Sequence, residues 1–382
     1  MKCNGIHVAT GEQIEILFQD LIENVDPLLA PTGSDTYISP GWVDLQVNGF
    51  AGVDYNSPET TPDQIGYSIR EMFRTGVTRF FPTIITGSPD TMAAALRNLA
   101  LAKEQISEGA AMDAFHLEGP YISTEDGPRG AHPARWVRPP DWDEFRRLQD
   151  AAQGNLRLVT LSPEWPEAPR FIEMAVRQGI VAGIGHTKAT AEQISAAVDA
   201  GATLSTHLGN AAHPVLPRRN YIWDQLAEDR LAASFIVDGF HLGRSFLNVA
   251  LRAKGLERSL LITDAVMPAG CAPGPYRLGE VDVELHPDGS VRMAGGTRLA
   301  GSALQMDRAI PNVIRQAGLS LREAVSLATR NPARVGRISS RQRGLMPGER
   351  ADLVRFRFDD STQTLHVLET YLDGKRVFAG AA

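Results

Sequence analysis

The feature that most constrains this chain is a recurrence. Four apolar runs, far apart in sequence, each end in a residue that can bind a metal or move a proton. They are Phe115-His116-Leu117-Glu118, Gly183-Ile184-Gly185-His186, Leu204-Ser205-Thr206-His207 and Leu261-Ile262-Thr263-Asp264. A carboxylate and two imidazoles suffice to hold a divalent cation with a position left for water. A later aspartate can carry the protons of a hydrolysis. For these residues to meet, the runs must be neighbouring strands that point the same way.

The rest of the middle segment supports that arrangement. Eight runs read as strands: Val43–Val47, Thr78–Ile85, Ala114–Leu117, Leu156–Leu161, Ile180–Ile184, Thr203–Thr206, Ala232–Val237 and Leu260–Thr263. Their unbroken apolar character suits parallel strands covered on both faces. Helical patterns separate many of them: Asp63–Arg74, Pro89–Ile106, Pro169–Arg177 and Thr190–Ala200. Leu304–Gln316 and Leu321–Thr329 follow the last strand. Alternation of this kind predicts an α/β fold, a (β/α)8 TIM-like barrel with active groups at the C-terminal ends of its strands. A doubly wound open sheet is the alternative, weakened because no Gly-x-Gly-x-x-Gly turn follows the first strand.

The two ends have a different texture. Residues 4–38 hold short runs such as Gln13–Phe18. The tail alternates through Leu353–Phe358, Thr364–Leu368 and Tyr371–Phe378, with Asp373-Gly374 as a hairpin turn. Both termini are therefore expected to build one small β-domain from residues 1–38 and 345–382. The barrel would then span 39–344.

Composition narrows the partners. A net charge of −7 over 382 residues argues against nucleic acid or an anionic membrane as the main partner. No run is long enough to span a bilayer, and no secretory h-region follows Met1. Cys3 and Cys271 read as free thiols in a reducing compartment, so a cytoplasmic location is expected.

Taken singly, each candidate has a bland reading. Glu118 before Gly119-Pro120 fits a salt-bridged or solvated loop carboxylate, and Asp264 an N-cap or ion-paired aspartate. A lone histidine is more often hydrogen-bonded than ligating. Two histidines at successive strand ends shift the balance toward a metal held by Glu118, His186 and His207, with Asp264 as general base. Gln46 and Asn48 end the first strand. Amides are weak ligands, which favours one metal over two. His132 and His241 lie in Gly-rich loops and suit either a substrate carbonyl or an anion; each also fits a surface histidine. His213 has less support, and His7, His286 and His366 have no supporting pattern.

Together with Pro40–Gly49, Gly130-Ala131-His132-Pro133, Asp238-Gly239-Phe240-His241, Gly301-Ser302-Ala303-Leu304 and Asn331-Pro332-Ala333, these motifs resemble the N-acetylglucosamine-6-phosphate deacetylases of the amidohydrolase superfamily. The resemblance implies a barrel with a small β-sandwich built from both termini. It implies a homodimer and metal-dependent hydrolysis of an N-acetylated amino sugar, releasing acetate. It places the metal on Glu118, His186 and His207, the base on Asp264, and substrate on His132, Asn210, Ala211, Arg218 and His241. Gln46 and Asn48 match the branch with a single metal. One segment departs from the family pattern: Gly209 to Tyr221 lacks the usual aromatic, the Met and the Glu-Pro-Gly after the arginine, leaving Arg218 or Arg219 to grip a phosphate, across a dimer interface as the resemblance implies. Two other readings use the same residues: hydrolysis of an N-acyl amino acid or cyclic amide, and a catalytically silent sugar-phosphate binder. The donor set suits zinc, and iron, manganese and cobalt are compatible.

Elemental analysis of the purified protein is expected to find one divalent metal per chain. Two stoichiometric metals contradict the assignment of Gln46 and Asn48 as non-ligands, and none retained in any preparation contradicts the ligand set Glu118, His186 and His207.

Overall fold

The computed structural model describes residues 1–28, 35–279 and 281–380; positions 29–34 of the expected terminal domain, and 381–382, lie outside the described residues. Eight parallel strands form one sheet in which each pairs with the next along the chain. They are Trp42–Val47, Val77–Ile85, Phe115–Glu118, Leu156–Leu161, Val181–Ile184, Leu204–Ser205, Ala232–Phe235 and Ser259–Leu261. The first and last strands meet just past their ends, where Val47 bridges Ala265 and the Asn48 N–H donates to the Ala265 carbonyl at 2.7 Å. Asp44 adds a side-chain link across the same seam, accepting from the Thr263 hydroxyl at 2.5 Å and the Thr263 N–H at 3.2 Å. The barrel is thereby closed. The strands are buried almost throughout, as continuous apolar runs require.

Helices cover the outside. Thr61, Ser88, Asp141, Thr190 and Ser320 each accept a backbone N–H of the first helical turn, which fixes where five of them start. Trp142–Ala151, Tyr221–Ala227 and Arg244–Lys254 complete the alternation without having been foreseen. The first is largely polar and buries Phe145, Leu148 and Ala151 on one face. The second is too short to show a period, and the third starts after Gly243 without a side-chain cap.

The terminal strands form a single seven-stranded sheet. Its order is Lys375–Ala379, Thr364–Leu372, Leu353–Asp359, Thr36–Pro40, Lys2–His7, Gln13–Phe18 and Ile22–Pro27. Phe18 and Tyr371 sit on strands that are not neighbours in this order, yet their rings meet edge to face at 5.5 Å. The sheet therefore curls over its own core, which also contains Ile14, Ile16, Ile22, Ile38 and Leu353.

A further antiparallel sheet, Gly274–Leu278, Val281–Leu285, Ser290–Met293 and Leu299–Ser302, is inserted after the last barrel strand. Sequence reading passed over it. Its final strand returns to the barrel: Ser302 bridges Ala265, and the Ser302 N–H donates to the Asp264 carbonyl at 3.2 Å. Among the described residues, no helix is long and apolar enough to cross a membrane.

Barrel and terminal sheet are locked by a buried ion cluster. Asp352 receives Arg79 through two bonds of 2.8 and 3.1 Å, and the Arg341 Nε lies 3.2 Å away. Burial works against the Asp352 charge, but the two guanidiniums hold its carboxyl below the usual range. Removing one member of such a cluster strands the others in a dry site. Asp352→Ala is expected to lose about 3–5 kcal/mol in chemical denaturation.

Candidate metal centre and active-site cavity

The C-terminal ends of the barrel strands bring the chemistry together. Glu118 is the last residue of the third strand. His186 and His207 each stand two residues past the fifth and sixth, and Asp264 three past the eighth. At the last three the chain turns sharply: His186, His207 and Asp264 have φ of 49°, 33° and 50°. This left-handed backbone is unfavourable for side chains larger than glycine, by roughly 1–3 kcal/mol each. Here it accompanies side chains gathered at one end of the barrel.

They converge closely. Glu118 Oε1 lies 3.2 Å from His186 Nε2 and 2.8 Å from His207 Nε2, and the two Nε2 atoms are 3.1 Å apart. All three residues are buried. Two imidazole nitrogens this close cannot both aim lone pairs at one another without repulsion. A shared cation resolves that conflict, and separations of about 3.3 Å are what ligands on a tetrahedral ion with bonds of about 2.0 Å require. The donor set thus fits a single divalent metal. His186 Nδ1 is anchored on the Pro128 carbonyl at 3.1 Å, which orients its other nitrogen inward.

Electrostatics follow from burial and proximity. Burial opposes the charge on Glu118, yet hydrogen bonds from His186 and His207 hold its carboxyl well below the usual range. Burial would lower His207, but Glu118 raises it above its ordinary value. Asp264 goes the other way: burial, then the nearby Glu118 charge, lift it to about 6. Its Oδ1 accepts from Asn48 at 2.7 Å and from Gln46 at 3.0 Å. Gln46 also donates to Glu118 Oε1 at 2.8 Å. Both amides act here as donors to carboxylates.

Above this floor lies a cavity of about 910 Å³. Its walls include His132, Asn210, Ala211 and His241. His132 Nε2 is 3.8 Å from Glu118 Oε2, and burial, then His186, lower its imidazole to about 3, so the ring is neutral. His241 Nδ1 is held by Asp238 at 2.7 Å. Arg218 and Arg219 are exposed and stand outside the cavity wall. The departing segment is nevertheless fixed: His213 bonds Glu125 Oε1 at 2.7 Å and the Tyr221 hydroxyl at 3.0 Å.

Sequence reading missed three contributors. Thr86 meets His132 Nδ1 at 2.7 Å. Asp238 fixes His241. Arg298 enters the cavity from the inserted sheet. A threonine or arginine in a strand or turn carries no local mark of such a role; only Asp238, three residues before His241, could have been read.

The comparisons with known proteins agree with this geometry. The amidohydrolase family pattern matches residues 37–377, so the chain belongs to the amidohydrolase family. Within it, the N-acetylglucosamine-6-phosphate deacetylase of Bos taurus is 35% identical over 353 residues, covering 89% of this chain and 83% of the bovine one. The N-acetylgalactosamine-6-phosphate deacetylase of Escherichia coli O157:H7 is 33% identical, covering 88% of this chain and 87% of its own. A mutant N-acetyl-D-glucosamine-6-phosphate deacetylase of Mycobacterium smegmatis, solved with N-acetyl-D-glucosamine-6-phosphate, superposes with a TM-score of 0.86 at 31% identity, over 96% of this chain and 95% of that one.

Thr86→Val keeps the shape of the side chain but removes the partner of His132. Activity is expected to fall roughly tenfold or more in kcat/KM while metal content stays unchanged. Steady-state kinetics beside elemental analysis checks both.

Proposed function

We propose that this chain removes the acetyl group from an N-acetylated hexosamine 6-phosphate, yielding acetate and the free amino sugar phosphate. The observation that carries the reading is the convergence of Glu118, His186 and His207 beside Asp264 at the floor of one large cavity. The relatives named above act on sugars of this class, which supports the substrate; they include both gluco and galacto forms, and the choice between these belongs to assay.

Glu118, His186 and His207 would hold one divalent cation, zinc by the chemistry of the donor set. Bound there, a cation supplies Lewis acidity toward the amide carbonyl and acidifies water. The remaining work falls to side chains of this chain. Asp264 accepts a proton from the attacking water as its oxygen bonds to the carbonyl carbon. It then delivers that proton to the amide nitrogen as the C–N bond breaks. Gln46 and Asn48 hold its carboxylate in place through the two bonds already described. A neutral His132, its Nδ1 fixed by Thr86, presents Nε2 for the carbonyl oxygen, where negative charge grows. His241, oriented by Asp238, serves the sugar from the cavity wall, beside Asn210 and Ala211.

Metal-loaded protein assayed with N-acetylglucosamine 6-phosphate and N-acetylgalactosamine 6-phosphate tests the reading, with acetate as the measured product. Asp264→Asn should lower kcat on the order of 10²-fold or more while retaining metal. Release of acetate from neither sugar rejects the substrate; near-native kcat in Asp264→Asn rejects the base.

A further inference from the structure

Of the histidines in the cavity wall, His213 is left unused by the reaction above, and it lies in the segment that departs from the family pattern. That segment begins with little to hold it. Gly209, Ala211 and Ala212 have almost no side chain, and the Asn210 amide bonds back to the His207 carbonyl at 3.0 Å. A larger residue at 209 would find no room, because a Cβ there would lie 2.5 Å from the Phe246 ring. Gly209 and Ala211 both have positive φ, 97° and 47°. An alanine keeps such a backbone only where its surroundings fix it. Yet Asn210 and Ala211 are wall residues proposed to serve the sugar.

His213 supplies the fixing point on the far side. Its Nε2–H donates to Glu125 Oε1 at 2.7 Å. Its backbone N–H donates to the Tyr221 hydroxyl at 3.0 Å, and its Nδ1 accepts from that hydroxyl at the same distance. One neutral tautomer satisfies all of these bonds together. Tyr221 opens the helix Tyr221–Ala227, and Glu125 belongs to the loop between Glu118 and His132. The two loops meet along their backbones: a Cβ on Gly127 would lie 3.3 Å from His213 Cα, and one on Gly130 3.8 Å from the Ala211 Cβ. Glu125 also receives Lys188, whose backbone N–H donates to Glu164 Oε2 at 3.0 Å. The loops after the third, fourth, fifth and sixth barrel strands are thereby chained together, with His213 as the link to the sixth. Glu125 and Lys188 keep 41% and 45% of their side-chain surface exposed, so these pairs add little to global stability. His132 does not depend on the link, because Thr86 holds its ring and Arg129 holds its carbonyl at 2.8 Å. Cutting the chain at His213 would release the sugar contacts and leave the contact to the amide carbonyl.

We propose that His213 is a positioning residue: clamped by Glu125 and Tyr221, it holds Asn210 and Ala211 in the cavity wall for the sugar. This role rests on the hexosamine phosphate reading above. A polar clamp stands where the segment between Leu208 and His213 has no apolar side chain large enough to anchor it.

The test compares the unmutated metal-loaded chain with His213→Ala, His213→Gln, Glu125→Ala and the double variant, on whichever of the two acetylated sugar phosphates it hydrolyses. His213→Ala is expected to raise KM about 3- to 10-fold, with kcat within about twofold and metal content unchanged. His213→Gln keeps an N–H for Glu125 and should recover part of the loss. The double variant should be within about twofold of His213→Ala, because both changes cut the same link. An unmoved KM overturns the proposal, whether or not kcat and Tm fall, and so do losses that multiply in the double variant. Amide hydrogen exchange gives a readout independent of turnover: residues 209–213 should exchange faster in His213→Ala while the barrel strands keep their rates. If neither sugar is hydrolysed, the deacetylase reading fails by itself. Faster exchange confined to residues 209–213 then still supports the clamp, and unchanged exchange overturns it.

Discussion

Glu118 is a carboxylate buried at the floor of a barrel, where an isolated charge is costly. Much of the surrounding arrangement answers that cost. His186 and His207 close on its Oε1, and Gln46 donates to the same atom. Asp264 then feels a negative neighbour in a dry site and is pushed up, while Asn48 and Gln46 lean on it from the other side. Below the floor, His116 bonds Thr160, which bonds Thr206, giving the barrel interior a short polar chain among apolar neighbours. Burial lowers His116 to about 4, so it stays neutral and adds no second charge beneath the carboxylate.

Barrel strands were readable because strands covered on both faces are predominantly apolar, and their few polar residues are buried with partners inside the barrel. The capped helices were readable because Thr61 and Thr190 leave capping boxes in the sequence, with Gln64 and Gln193. The inserted sheet was not read, although Val281-Asp282-Val283-Glu284-Leu285 alternates as a half-buried strand should. Its signal lies between two strong ones and was absorbed into the connection. The helix Arg244–Lys254 was missed for a different reason: it buries Lys254, whose ammonium bonds the Gln225 and Glu228 carbonyls and so sits where an apolar residue would be sought.

The same contrast separates the members of the site. Glu118, His186, His207 and Asp264 were legible because each follows an apolar run and each belongs to a short list of useful residue types. Thr86 and Arg298 reach the cavity from a strand end and a turn, through partners remote in sequence. Their places there exist only once the barrel has curled Thr86 beside His132 and the insert has folded Arg298 back toward Gly130. Arg218, expected to overhang the metal site or to reach a neighbouring subunit, is exposed on this chain and stands outside its own cavity wall.

The terminal sheet has a consequence for how the chain is made. Thr36–Pro40 lies between Lys2–His7 and Leu353–Asp359, and Pro40 pairs with Leu353, almost the whole chain away. On a ribosome the first strands emerge early, yet one flank of Thr36–Pro40 stays open until the last strands are released. An open strand edge is a template for the wrong partner. Arg79, on the second barrel strand, likewise waits for Asp352. Completion of the terminal sheet therefore waits for Leu353–Asp359, long after every barrel strand has been synthesised.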